Sequence, residues 1–160
     1  MEYIIYSNNQ EYTEIVGKEL KVLPDWLLQD FYDYGGKLIV GKTMPKGHEN
    51  KAGAFVGVFS QGVLREGTAR IYINEAFQNE HAVYHEIGHY FYYRYSIFDN
   101  KFVFDQGEMK RFVKEFCYGN SYYLDEKEFF AESFNRFFQG KLTEENYPVT
   151  VSQLNELWNE

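Results

Sequence analysis

The spacing of hydrophobic and polar positions changes about halfway along the chain. Short apolar runs predict strands over residues 3–6, 37–40, 54–59 and 68–73 in the first half. Helical spacing predicts a weak helix over residues 11–23 and a clearer one that begins at Pro24 and ends at Gly35 and Gly36. After Glu75 the spacing is helical throughout. The pattern therefore predicts an α+β chain in which a small twisted sheet precedes a helical half.

The same pattern bears on domain organisation. The chain has 160 residues, the length of one ordinary domain, and neither a repeat nor a low-complexity linker divides it. We predict a single domain over residues 1–160 with two lobes. A mixed lobe of sheet and helix covers residues 1–76, a helical lobe covers residues 77–160, and the active site lies in the cleft between them.

Composition and charge exclude several classes of protein. Aromatic residues make up 20% of the chain, with 15 Tyr and 15 Phe, which a disordered chain would lack. The formal net charge is −8 and no basic patch stands out, so the sequence predicts no nucleic-acid partner. The charge weakly favours a basic or neutral substrate. The single cysteine, Cys117, follows the apolar stripe of a predicted helix, so we interpret it as a small buried residue.

Localisation is left open by the residues themselves. No apolar run is long enough to span a membrane, and the first residues lack the basic start of a signal peptide. The chain is therefore either cytoplasmic or a mature secreted chain without its signal peptide. We expect a monomer.

The strongest chemical signal is the run from His85 to His89, which reads His-Glu-Ile-Gly-His. On a helix, residues four apart lie one turn apart on nearly the same side, so both imidazoles can bind one metal ion. Glu86, the residue after the first histidine, projects beside that ion and can accept a proton from a water there. The pattern predicts one Zn²⁺ per chain, with His85 and His89 as ligands and Glu86 as the catalytic base.

The surrounding helix predicts where these imidazoles point. The apolar residues share one broad arc, and the histidines fall on the opposite side; the arc consists of Val83, Tyr84, Ile87, Tyr90 and Phe91. A cleft is therefore expected at the histidines rather than a core. His81 lies four residues before His85 and extends the histidine stripe, and we interpret it as a polar residue near the start of the helix.

A catalytic zinc ion needs a third protein ligand. The candidates are His48, Asp105, Glu108, Glu126, Glu128 and Glu132. Glu128 and Glu132 share one face of a predicted helix, so one could bind the metal while the other orients a histidine. Periodicity alone favours a different interpretation, in which both carboxylates lie on a solvated acidic face.

The motif His-Glu-Ile-Gly-His, followed after 39 residues by Glu-Phe-Phe-Ala-Glu-Ser-Phe from Glu128, resembles the catalytic domain of anthrax lethal factor. The chain resembles in particular the secreted Pro-Pro endopeptidases of clostridia and bacilli. The likeness includes the first strand, the loop from Met44 to Gly47 and a closing helix over residues 148–157. It implies a zincin-like fold and secretion.

The resemblance also implies roles for single residues. Glu128 corresponds to the third zinc ligand, and Glu132 then supports a histidine from behind. The family places an oxyanion-stabilising tyrosine seven residues before the ligand, but this chain has Ser121 there. Tyr122 and Tyr123 follow directly, and either could fill the role.

The family binds its substrate as an added strand, an extended protein segment that pairs with a sheet edge. Residues 54–59 or 68–74 could supply that edge, with Val56 and Val58 touching the substrate. His48 stands where relatives carry a substrate-contacting residue, so specificity for proline is an open expectation.

Together these features predict a zinc-dependent endopeptidase. Two alternatives remain: a catalytically silent, zinc-stabilised binding or effector domain, and an intracellular metallopeptidase acting on a regulator.

Overall fold

The computed structural model describes residues 3–158. A four-stranded sheet contains β1 (Ile5–Ser7), β2 (Lys37–Gly41), β3 (Gly53–Val56) and β6 (Arg70–Asn74). A two-stranded hairpin of β4 (Phe59–Ser60) and β5 (Val63–Leu64) lies between β3 and β6 in the chain. The helices are α1 (Gln10–Leu20), α2 (Asp25–Asp33), α3 (Ala82–Arg94), α4 (Gln106–Phe116), α5 (Glu126–Phe138) and α6 (Pro148–Trp158). Single 3₁₀ turns precede α3 and α5. The predicted α+β class is confirmed.

The order of strands in the sheet is β1-β2-β6-β3. The first three strands are parallel, and β3 runs antiparallel to β6. The buried side of the sheet comes from alternate residues, with Leu38 paired to Ile71 and Val40 paired to Ile73. Because β6 has a neighbour on both sides, it offers no free edge, and the expectation that residues 68–74 could supply one is wrong.

The predicted strand over residues 54–59 also differs from the structure. β3 ends at Val56, and Phe59 pairs with Leu64 in the separate hairpin. Gly57 lies between them, where an added Cβ would approach the Leu64 Cδ1 atom to 2.6 Å. The chain therefore turns away from the sheet at this point, and β3 is a short edge strand.

Helix α3 passes through the middle of the molecule. It packs against α5 and against β3 and β6, and its residues from Ala82 to Tyr92 are buried except for His85. The largest hydrophobic cluster joins α1, α2 and the sheet to α3 and to Phe130 and Phe134 of α5. This core thus includes residues from both of the predicted lobes.

A smaller cluster lies between α4, α5 and α6 and contains Met109, Phe112 and Cys117. Burial is the largest influence on the Cys117 thiol and raises its pKa to about 12. Cys117 is therefore a buried thiol, as its spacing predicted. Within residues 3–158, no helix is both long and apolar enough to cross a bilayer.

Glu108 has a structural role in this cluster. Its two carboxylate oxygens each accept a 2.9 Å hydrogen bond, one from the backbone N–H of Val149 and one from that of Thr150. These N–H groups belong to the first turn of α6, which has no intrahelical partners for them. Glu108 thus caps α6 and is occupied away from the histidines.

We expect Glu108→Ala to destabilise the fold by about 1–3 kcal/mol, because two buried N–H groups lose a charged acceptor. Urea unfolding of the variant and the parent measures the difference. Lys110→Ala, an exposed position of the same helix, serves as the matched control and should change stability by at most about 0.5 kcal/mol. Unchanged stability in Glu108→Ala would contradict the capping role.

Candidate functional site

The site is formed where α3 and α5 cross. A Cβ atom built on Gly88 of α3 would lie 3.0 Å from the Cα and 3.2 Å from the carbonyl oxygen of Ala131 in α5. Only a glycine allows this approach without displacing the backbone. The close crossing brings the outward-pointing histidines of α3 next to the first two turns of α5.

Two of the three acidic residues of α5, Glu128 and Glu132, face α3 rather than solvent. Glu128 and Glu132 are each 6% exposed, so the alternative of a solvated acidic face is wrong. The N-terminus of α5 is fixed by Asp125, whose side chain accepts a hydrogen bond from the backbone N–H of Glu128. This cap fixes the direction from which Glu128 enters the site.

Three potential ligand atoms converge at the crossing. The Oε1 atom of Glu128 lies 3.4 Å from Nε2 of His85 and 3.2 Å from Nε2 of His89. One ligand atom from each of these residues lies within 4.8 Å of the others. The structure therefore brings together the three residues that the sequence had selected as ligands.

Glu132 holds the first histidine from the opposite side of its ring. Its Oε2 atom lies 2.8 Å from Nδ1 of His85, and its Oε1 atom accepts hydrogen bonds of 3.0 Å from Asn135 and Arg136. With Nδ1 paired in this way, Nε2 of His85 is directed towards Glu128. Asn135 and Arg136 were missed by sequence reasoning, although Arg136 follows Glu132 at the i+4 spacing of a helical ion pair.

Charge within the cluster is balanced by its own members. Burial lowers the pKa of His85, but hydrogen bonds to Glu128 and Glu132 outweigh burial and raise it to about 10. Burial raises the pKa of Glu128, but hydrogen bonds from the two histidines outweigh burial and hold it well below its usual range. His85, Glu128 and Glu132 therefore form one hydrogen-bonded network in which each group favours the charged form of its partner.

Glu86 lies beside this network without joining its hydrogen bonds. It is 6% exposed, and burial raises the pKa of its carboxyl group, although the two histidines oppose the shift. A raised pKa makes a carboxylate a stronger base, which suits proton transfer near neutral pH.

The edge strand β3 contacts the Glu86 side chain. A Cβ built on Gly53 would lie 3.0 Å from Cγ and 3.1 Å from Oε2 of Glu86, and 3.1 Å from the Cβ of Ala82. Glycine at this position therefore leaves the space that the Glu86 side chain occupies.

We expect Gly53→Ala to lower the peptide cleavage that the motif predicts by up to about 100-fold and to leave the predicted zinc binding unchanged, because the new methyl group displaces Glu86. Parallel measurement of turnover and of metal content by mass spectrometry tests this. Gly41→Ala is the matched control, since nothing lies within 4 Å of a Cβ at this other strand glycine. Equal loss of turnover in both variants would exclude a specific displacement of Glu86.

The two candidate tyrosines occupy different places. Both line the cavity beside the histidines, and burial raises the pKa of Tyr122, as does the charge of the nearby Glu128 carboxylate. Burial also raises the pKa of Tyr123 to about 12, and among the neighbouring charges the Glu132 carboxylate adds most to this shift. Tyr123 packs on the smaller hydrophobic cluster, and its ring meets that of His85 edge-on at 6.5 Å. The charge of Glu128 therefore acts most on Tyr122 and the charge of Glu132 most on Tyr123, and both tyrosines stay candidates for the oxyanion role.

The site opens into a cavity of about 700 Å³ that is lined by residues from β3, α3 and the chain leading into α5. His48 also lines it, and the Nδ1 atom of His48 is buried without a hydrogen-bond partner among the described residues. Asn74 fixes the loop that carries His48, because its side-chain amide donates to the carbonyls of Glu49 and Lys51.

Other predicted site residues lie elsewhere. Val56 and Val58 do not line the cavity, and Val58 is 50% exposed. His81 adopts a left-handed conformation just before α3, and its Nδ1 atom lies 3.0 Å from Oε2 of Glu19. It therefore does not continue the histidine stripe into the cavity. Among the remaining ligand candidates, Asp105 caps α4 and Glu126 is exposed.

Three further cavity residues were missed by sequence reasoning. Lys51 and Lys127 lie in its wall, and Tyr118 projects from its rim with a fully exposed side chain. Tyr118 has a positive φ of 52°, which is rare for a bulky residue and is often retained at functional sites. Nothing in the spacing of these residues marks them as cavity residues, because they become neighbours only through the fold.

Comparison with protein-family models, curated proteins and solved structures finds no match to this chain. The resemblance to the lethal factor catalytic domain thus stays a prediction that rests on the motifs and their spacing.

Proposed function

We propose that this protein is a zinc-dependent endopeptidase with a zincin-like arrangement of sheet and helices. The observation that carries the proposal is the convergence of His85, His89 and Glu128 on one side of a cavity, with Glu86 beside them. A buried cluster of two imidazoles and one carboxylate is the ligand set that catalytic zinc sites use, and it leaves a fourth position open.

The spacing of the ligand atoms supports zinc as the metal. Three side chains can hold one ion only where their ligand atoms lie close to one another. The separations of Glu128 Oε1 from the two histidine Nε2 atoms are 3.4 Å and 3.2 Å. Glu132 meets a further requirement, since a histidine ligand usually has its other ring nitrogen held by a carboxylate or carbonyl.

When bound, zinc supplies a Lewis acid that acidifies water and polarises a carbonyl group. Glu86 accepts the proton of the attacking water and passes it to the amine that leaves when the peptide C–N bond breaks. The Tyr122 hydroxyl donates a hydrogen bond to the oxygen that becomes negatively charged. In this proposal Tyr123 acts only as a packing residue behind His85.

The proposed substrate is an extended protein segment that adds a strand to the free edge of β3. On its other edge β3 is paired with β6, and its residues Gly53, Ala54 and Phe55 line the cavity. A strand at this edge would run past Glu86, because Gly53 touches that side chain. Proline in the segment is part of the proposal through the family resemblance.

The alternative is a zinc-stabilised binding domain without catalytic activity. The geometry favours the enzyme, because a purely structural zinc site needs neither an unliganded carboxylate beside the metal nor an open cavity. The intracellular metallopeptidase shares the same chemistry, and only its place of action differs.

The test combines metal content with cleavage of a diverse peptide library, read by mass spectrometry. We expect one zinc per chain, cleavage at a limited set of sequences, loss of cleavage after chelation and recovery when zinc is restored. Zinc without any cleavage would favour the binding domain, and purified protein that binds no zinc would overturn both. The cleaved sequences would also show whether proline flanks the bond.

A further inference from the structure

Two lysines of the cavity wall, Lys51 and Lys127, have no partner for their charge. Within residues 3–158, neither ammonium group takes part in an ion pair or a side-chain hydrogen bond. Arg136, the third cation of the wall, is paired with Glu132 at 3.0 Å. The two lysines are therefore available to a molecule that enters the cavity.

Lys127 stands at a position that disfavours a cation. It is the second residue of α5, where the positive end of the helix dipole stabilises acidic side chains. Glu126 and Glu128 flank it in sequence, but adjacent residues on a helix do not face each other. Lys127 is also partly buried, which adds to the cost of its charge. A side chain that opposes its local environment at the mouth of a site is expected to serve a ligand.

The remaining charges of the site make the rim positive. Among the carboxylates of the wall, Glu132 is paired with Arg136, and Glu86 and Glu128 lie against the proposed metal. Among the charged side chains of the wall that remain, Lys51 and Lys127 are positive and Glu80 is negative.

The rim thus differs in sign from the whole chain, whose net charge is −8. At physiological ionic strength, charges more than about 8 Å away are largely screened. For a peptide bound in the cavity, the nearby lysines therefore outweigh the negative charge of the rest of the surface.

We propose that Lys127, with Lys51 of the same cavity, selects substrates that carry an Asp or Glu within two residues of the cleaved bond. Lys127 lies in the first turn of α5 and lines the same cavity as Glu86, so its ammonium group is placed to meet a residue near the proposed cleaved bond. The substrate class is then an acidic extended segment, in contrast to the basic or neutral substrate that net charge favours. This inference rests on the proposed endopeptidase function.

The experiment compares pairs of peptides that differ only by Glu or Gln at one position, on each side of the cleaved bond. For the parent, we expect a roughly fivefold higher kcat/KM with Glu at one position, and a weaker preference at high salt. Lys127→Gln should abolish this preference and Lys127→Glu should reverse it. Lys110→Glu, which makes the same change of charge outside the cavity, is the control and should keep it. A preference that persists in Lys127→Glu, or is absent from the parent, overturns the inference.

A binding measurement separates this inference from the proposed function. Fluorescence anisotropy of the same peptides with Glu86→Gln reports recognition without cleavage. If the parent cleaves but neither turnover nor binding depends on charge, only the inference fails. If the parent does not cleave but binds Glu peptides more tightly in a manner that requires Lys127, the proposed function fails and the recognition of acidic segments stands.

Discussion

Glu86→Gln is expected to lower peptide cleavage by about 10²–10⁴-fold while zinc stays bound. The amide keeps the shape of the carboxylate but cannot accept the proton of the attacking water. Zinc should be retained because Glu86 is not among the three converging ligand atoms. Single-turnover rates and metal content, measured on the same samples, test the two halves of this expectation.

Glu132→Gln is the informative comparison, since it changes a carboxylate to an amide on the other side of the same cluster. Loss of its charge weakens the hold on Nδ1 of His85, so we expect zinc affinity to fall by about 10–100-fold. Cleavage by Glu132→Gln should return at saturating zinc, whereas cleavage by Glu86→Gln should not. A Glu86→Gln variant that cleaves as fast as the parent would remove Glu86 from the mechanism.

The same substitution has a predicted effect on stability. Because burial raises the pKa of Glu86 above the unfolded value, the ionised carboxylate disfavours the folded metal-free state. This cost is fully present above the folded pKa and disappears below the unfolded one. At neutral pH, metal-free Glu86→Gln should therefore be at least as stable as the metal-free parent. The parent would then retain a carboxylate that lowers its stability because that carboxylate serves function.

Gly88→Ala is expected to destabilise the protein by about 1–3 kcal/mol and to weaken zinc binding. Alanine in a helix is normally better than glycine by about 1 kcal/mol, so propensity alone predicts the opposite sign. Here the new methyl group would meet the backbone of Ala131 at 3.0–3.2 Å, and backbone atoms cannot yield as a side chain can. Relief of this contact would separate α3 from α5 and pull Glu128 from the histidines.

Gly17→Ala provides the matched control for this prediction. Gly17 lies within α1, and nothing stands within 4 Å of a Cβ built there. This variant should be more stable than the parent by up to about 1 kcal/mol, with unchanged zinc affinity. Urea unfolding and competition with a chelator measure both quantities. If Gly88→Ala is stabilised as Gly17→Ala is, the close crossing is not essential to the site.

Much of the local structure could be predicted from the sequence. The short apolar runs at residues 37–40 and 68–73 and the helical period around His85 follow from local chemistry, and the structure contains β2, β6 and α3 there. The placement of His85 and His89 away from the apolar arc also follows from helix geometry, since a helix fixes the angle between its residues.

Residues whose environment depends on a distant segment of the chain could not be placed in this way. An acidic stripe on a helix has the same spacing whether it faces water or another helix, so the burial of Glu128 and Glu132 depended on α3 lying opposite. Similarly, residues 68–74 and 54–56 both have the period of a strand. Only the order β2-β6-β3 makes the first an interior strand and the second an edge.

The sequence by itself thus determined the His-Glu-Ile-Gly-His pattern on one helix and the class of the fold, because both depend on residues close together in the chain. Tertiary structure alone decided which carboxylates meet those histidines and that Lys51 and Lys127 share a cavity. The physical reason is that these relations are distances between segments far apart in sequence. They are set by how the helices and the sheet pack, at contacts such as that of Gly88 with Ala131.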